Sequence, residues 1–166
     1  MKGLMFAVFC GVLLMPWPTW AVSKRPPETP VTINSGRPIA DLRPLLADTN
    51  NLEITHVFLC RLGAQRCDET IWDIALPAGW QQPDLTLFGN YPGATVRVLR
   101  HEALQPGGSY NLFIHFNERS RLHQQTVDNT VTEFCLEEKS DALRVLTRAD
   151  CRARRIAAQH QGGPAQ

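Results

Sequence analysis

The chain has 166 residues, a formal net charge of +1 and 20% charged residues. That length suits one domain with a real core, and near-neutrality gives no basis for a nucleic-acid or charged-membrane partner. Five cysteines, one of them inside an apolar amino-terminal run, fit an exported, disulfide-bearing protein.

Residues 1–21 read as a bacterial-type secretory signal peptide. Lys2 supplies the positive start, Leu4 to Met15 is apolar apart from Cys10 and Gly11, and Pro16 and Pro18 break any helix. Small Thr19 and Ala21 predict cleavage before Val22. The run is shorter than the about 20 residues that a bilayer span needs. A lipid anchor at Cys10 is the alternative, although Phe9 stands where lipoprotein signals carry a small residue. Cleavage removes Lys2 and no acid, so the mature chain has net charge 0. No later stretch is long and apolar enough for a transmembrane segment. The expected compartment is the periplasm or the outside of the cell.

Residues 22–38 form a Pro-rich amino-terminal arm, with Lys24 to Pro30 favouring extended, solvated backbone. Val31 to Ile33 adds a possible edge strand. Ile39 to Asp48 has room for a helical turn or two, with Pro44 in its first turn. From Leu52 the pattern turns to β. Ile54, His56, Phe58, Cys60 and Leu62 alternate with Thr55, Val57, Leu59 and Arg61. Both sets are largely apolar, so this is a central strand covered on both faces. Gly63 to Gln65 is a turn, and Thr70 to Leu76 returns with Trp72, Ile74 and Leu76 on one face. Further strands are expected at Leu85–Phe88, Thr95–His101, Tyr110–Phe116, Thr126–Leu136 and Leu143–Thr147. Asn117 to Gln125 reads as a loop, and residues 156–166 as a flexible tail. The domain proper spans 39–155.

Four cysteines remain after the signal: Cys60, Cys67, Cys135 and Cys151. Spacing favours Cys60–Cys67 and Cys135–Cys151, because each pair flanks a turn. A Cys60–Cys135 link between distant strands is the alternative pairing, and free buried thiols are the remaining one.

About seven short strands separated by turn residues imply an all-β fold, an antiparallel sandwich with disulfide-braced hairpins and minor helix. Within it, Leu104-Gln105-Pro106-Gly107-Gly108-Ser109-Tyr110 resembles the tyrosine corner of fibronectin type III and immunoglobulin-like domains. In those domains a Tyr opens a strand and its hydroxyl bonds back to upstream backbone. The resemblance implies an immunoglobulin-like β-sandwich with Tyr110 buried. The Cys that follows two residues later in antibody domains is Leu112 here, so that family's inter-sheet disulfide is missing.

Chemistry-bearing constellations are sparse. His56, His101, His115, His123 and His160 lack close metal-ligand spacing. Ser109 lacks the trailing glycine of a hydrolase elbow. The adjacent carboxylates Asp68-Glu69 and Glu137-Glu138 point to opposite faces of a strand. No catalytic residue, metal or other cofactor is expected. Two surfaces stand out for binding: Trp80 and Tyr91 on loops beside Phe88, and the basic run with Arg152, Arg154 and Arg155, preceded by Arg144 and Arg148.

Together these imply a non-enzymatic protein-binding module acting in the bacterial periplasm or extracellularly. Its partner would be another envelope, secreted or host protein, such as an adhesin or secretion component. The first alternative is an inhibitor or immunity protein that plugs a toxin or hydrolase, with Gly89 to Gly93 as the protruding loop. The second is a metal-binding protein or enzyme built on His56, His101 and His115.

Overall fold

The computed structural model describes residues 26–48, 52–63, 66–119, 125–140 and 142–161. The signal segment 1–21, the residues Ala64 and Gln65 of the first turn, His123 and the last five residues lie outside these. The order of elements is β1 (Val31–Asn34), β2 (Arg37–Asp41), α1 (Arg43–Asp48), β3 (Leu52–Leu62), β4 (Cys67–Ala75), β5 (Asp84–Thr86), β6 (Thr95–Leu99), β7 (Ser109–Arg119), β8 (Gln125–Lys139), β9 (Ala142–Leu146) and α2 (Arg148–Gln161). A single 3-10 turn, His101–Ala103, lies between β6 and β7.

The strands form two sheets, one ordered β1-β2-β5 and one ordered β6-β4-β3-β7-β8-β9, with every described pairing antiparallel. The fold is antiparallel and mainly β with disulfide-linked strands and minor helix, consistent with an immunoglobulin-like β-sandwich. The small sheet begins as a hairpin whose two-residue turn, Ser35-Gly36, has positive φ at both positions (49° and 75°). Such a turn matches the right-handed twist of the flanking strands. Asp41 closes β2 and starts α1: its carboxylate accepts from the Arg43 N–H at 3.0 Å and from the guanidinium at 2.8 Å. That hydrogen bond holds the Asp41 carboxyl below its ordinary range.

Alternation fills the core. Leu52, Ile54, Val57 and Leu59 of β3, Trp72 and Ile74 of β4, and Tyr110, Leu112, Ile114 and Phe116 of β7 are buried on the inner face of the large sheet. They join one apolar cluster with Val31, Ala40, Leu42, Leu45 and Leu85 from β1, β2, α1 and β5. An irregularity between Ile54 and His56 in the β3–β7 pairing moves the inward set from even to odd positions. The expected strand was covered on both faces. Instead only this face is closed, and His56 and Phe58 on the other are half-buried.

Both disulfides join neighbouring elements. Cys60 is bonded to Cys67 across the β3–β4 turn, with Cα atoms 5.7 Å apart. Cys135 of β8 is bonded to Cys151 of α2, with Cα atoms 5.5 Å apart.

Tyr110 is fully buried. Its hydroxyl accepts from the Gln105 N–H at 2.7 Å and lies 3.1 Å from the carbonyls of Ala103 and Gln105, to one of which it donates. Burial pushes the phenol pKa up. Gly108 is required beside it, since a Cβ there would fall 2.2 Å from the Tyr110 hydroxyl.

Three segments depart from the expectations. The arm is held from Pro26 onward rather than loose. Thr130 Oγ1 donates to the Pro27 carbonyl at 3.1 Å, and the Thr29 N–H donates to Thr132 Oγ1 at the same distance. Residues 117–119 extend β7 where a loop was expected. The chain beyond Cys151 continues as helix to Gln161, so part of the expected tail is ordered structure. Its start is fixed by Thr147, whose Oγ1 accepts from the Asp150 N–H at 3.2 Å and lies 2.7 Å from the Asp150 carboxylate. The Thr147 hydroxyl thereby satisfies one of the open N–H groups of the helix amino terminus.

Candidate protein-binding surface

The outer face of the large sheet faces away from the shared core, and the sequence packs it unusually. A one-sided antiparallel sheet places polar residues outward. Here one row is largely apolar and the next carries two stacked histidines. Across neighbouring strands, Val131 pairs with Phe113, Phe113 with Phe58, Phe58 with Asp73 and Asp73 with Val98. In the next row Asn129 pairs with His115, His115 with His56 and His56 with Ala75. The four rings stack on one another: Phe58 and Phe113 have centroids 4.3 Å apart, and His56 and His115 are 5.6 Å apart. All four are half-buried, and Val131 is 39% exposed.

The charges around this stripe are paired. His56 Nε2 lies 2.7 Å from Asp73 Oδ1, with the Arg97 guanidinium 3.9 Å from the same oxygen. Glu69 takes Arg61 on one carboxylate oxygen and Arg100 on the other, each at 2.6 Å. At the far side, Glu133 of β8 pairs with Arg155 of α2 at 3.0 Å. Burial, with the neighbouring His56 charge second, lowers the pKa of His115.

Among the residues expected to bind, Arg152 and Arg154 are exposed on α2. Arg154 donates to the Leu136 carbonyl at 3.4 Å, and Arg155 is the Glu133 partner. The helix brings these three together and anchors them beside the stripe, because Cys135 and Glu133 share the outer face of β8 with Val131. Trp80 and Tyr91 are elsewhere and point inward. Trp80 is 8% exposed and meets Tyr91 edge to face, with ring centroids 5.8 Å apart. The half-buried Tyr91 donates to the Thr86 carbonyl at 2.7 Å, and burial pushes its phenol up to about 12. The hydroxyl thereby stiffens the Gly89–Gly93 loop rather than projecting from it.

The histidines considered as metal ligands are separated. His56 and His115 stack, while His101 packs on Phe88 with centroids 4.8 Å apart. Among the described residues, no group of three or more His, Cys, Asp or Glu side chains is placed to hold a metal ion. No described helix is long and apolar enough to cross a membrane.

The aromatic stripe escaped sequence reasoning because its residues also fit a doubly covered strand. The signal that finds it is the coincidence of two aromatic–histidine pairs, His56-x-Phe58 and Phe113-x-His115, on strands that become neighbours.

No known family profile matches the chain, and no solved structure matches it. It is similar to the protein named type VI lipase immunity protein Tli3 of Pseudomonas aeruginosa strain PAO1. The identity is 54% over 142 residues, covering 86% of this chain and 86% of that protein. This corrects the relationship inferred from Leu104 to Tyr110. The tyrosine corner is a local geometry of the fold, and kinship is carried by the match along most of the chain. The chain is accordingly a non-enzymatic protein-binding module. It belongs to the family of the type VI lipase immunity protein Tli3.

Proposed function

We propose that this protein is an immunity protein: it binds a type VI lipase toxin in the periplasm and stops it from hydrolysing the cell's own lipids. The observation that carries this reading is the 54% identity to Tli3 over most of both chains. The signal-like residues 1–21 and the two disulfides support a periplasmic site of action, where bonds of this kind form and persist. A rigid scaffold with two covalent braces also suits tight inhibition, since a surface already in its binding conformation loses little entropy on association. The arginines Arg152, Arg154 and Arg155 would contact acidic groups of the toxin and speed encounter.

Protection of cells tests it. A bacterium lacking this protein is made to export a type VI lipase to its periplasm. The full chain should restore growth, and the same chain without residues 1–21 should not. Continued lysis in the presence of the full chain would overturn the reading.

A further inference from the structure

Resting on that immunity reading, we propose that the lipase docks an apolar surface on the aromatic stripe of the six-stranded sheet, with Phe58, Phe113 and Val131 at its centre and α2 at its rim. The small sheet and α1 pack on the opposite side, and α2 is tied to the outer face of β8 at Cys135, so the stripe lies on the outward face with α2 at its β8 edge. Val131, one of the large apolar side chains exposed among the described residues, lies on this face beside the stacked Phe58 and Phe113. Apolar surface grouped in this way marks an interaction site rather than scattered surface.

Charge specifies the partner. Asp73, Glu69 and Glu133 each lie beside an arginine of this chain, so the centre presents no bare charge to be stripped of water. It therefore suits an apolar counterpart. The rim differs: α2 exposes Arg152 and Arg154 beside the ion pairs of Arg148 with Glu28 and Arg155 with Glu133, which suits acidic groups. A lipase fits this combination, because an enzyme that takes acyl chains from a lipid surface must expose apolar surface around its entrance. Covering that surface would also keep lipid out. A second copy of this chain, stacking stripe on stripe, is the competing occupant.

The experiment uses the exported, disulfide-bonded protein and a purified type VI lipase from the same bacterium. A photo-crosslinking benzoylphenylalanine replaces Val131, an exposed position that carries little of the fold. Irradiation should give an adduct with the lipase. In parallel, Val131→Arg should weaken lipase binding about tenfold or more, as expected of a central contact. Arg37→Glu, on the small sheet, should bind like wild type. Adducts between two copies of this chain, with unchanged lipase affinity in Val131→Arg, would overturn the stripe as the docking site while leaving the immunity reading intact. Wild-type protein that does not bind the lipase would overturn both.

Discussion

Phe58 and Phe113 lie face to face across β3 and β7, with ring centroids 4.3 Å apart and planes 8° from parallel, on the side of the sheet away from the core. Their contact therefore contributes to stability without belonging to the main apolar cluster. Stacked aromatic pairs contribute about 0.5–1.5 kcal/mol beyond the area they bury. A double-mutant cycle of Phe58→Ala and Phe113→Ala, read by denaturant melts, should give a coupling energy in that range. Strict additivity would mean that the rings do not support each other.

Tyr110 offers a sharper test of the fold. Tyr110→Phe keeps the ring and deletes the hydroxyl, leaving the Gln105 N–H without its 2.7 Å acceptor. The expected loss is about 1–3 kcal/mol, the cost of a buried group left unpaired. Asn111→Ala, on the half-exposed opposite face, should cost less. Equal melts for Tyr110→Phe and wild type would remove the corner as a structural determinant.

The Cys135–Cys151 bond ties α2 to the sheet, so its removal should act on both stability and the helix. Paired substitution to serine should cost about 2–4 kcal/mol, mainly through greater freedom of the unfolded chain. Amide exchange over Arg148–Gln161 should accelerate more than exchange in β3 or β7. Uniform acceleration across both would show that the helix is not a separately anchored element.

His115 makes stability depend on pH. Its folded pKa lies below the 6.5 usual for histidine, chiefly because burial disfavours the charged ring, with the His56 charge adding to this. Above that value both folded and unfolded states are neutral, and the stability is fully present. As pH falls below it, the unfolded chain takes up the proton first, and stability declines until the folded pKa is passed. Denaturant melts at pH 7.5 and 5.5 should show this decline in wild type and a smaller one in His115→Gln. An identical decline in both would assign the effect to other groups.

Much of the fold is legible in the sequence because period-two alternation over 110–116 fixes which side chains face inward, whereas over 54–62 the irregularity between Ile54 and His56 moves Ile54 to the face opposite His56 and Phe58. The tyrosine corner was legible for a similar reason: Gly107, Gly108 and Tyr110 are demanded together by one tight crossover. α2 was not, since Arg- and Gln-rich composition reads as solvated chain. Its two determinants are the Thr147–Asp150 cap and a covalent bond at Cys151, and neither shows as hydrophobic periodicity. Of the proposed binding surface, only the basic residues of α2 were singled out in the sequence. Trp80 and Tyr91 looked like recognition residues because they sit on loops, yet they pack inward on each other. The stripe stayed hidden because an aromatic row on an open sheet face has the same alternation as one on a covered face.

Inhibition of lipid hydrolysis by the purified protein tests the immunity reading most directly. A fixed concentration of a type VI lipase from the same bacterium, acting on phospholipid vesicles, is titrated with the disulfide-bonded chain. Hydrolysis should fall in proportion to the added protein and stop near one equivalent. Full hydrolytic activity in the presence of a large molar excess would contradict it.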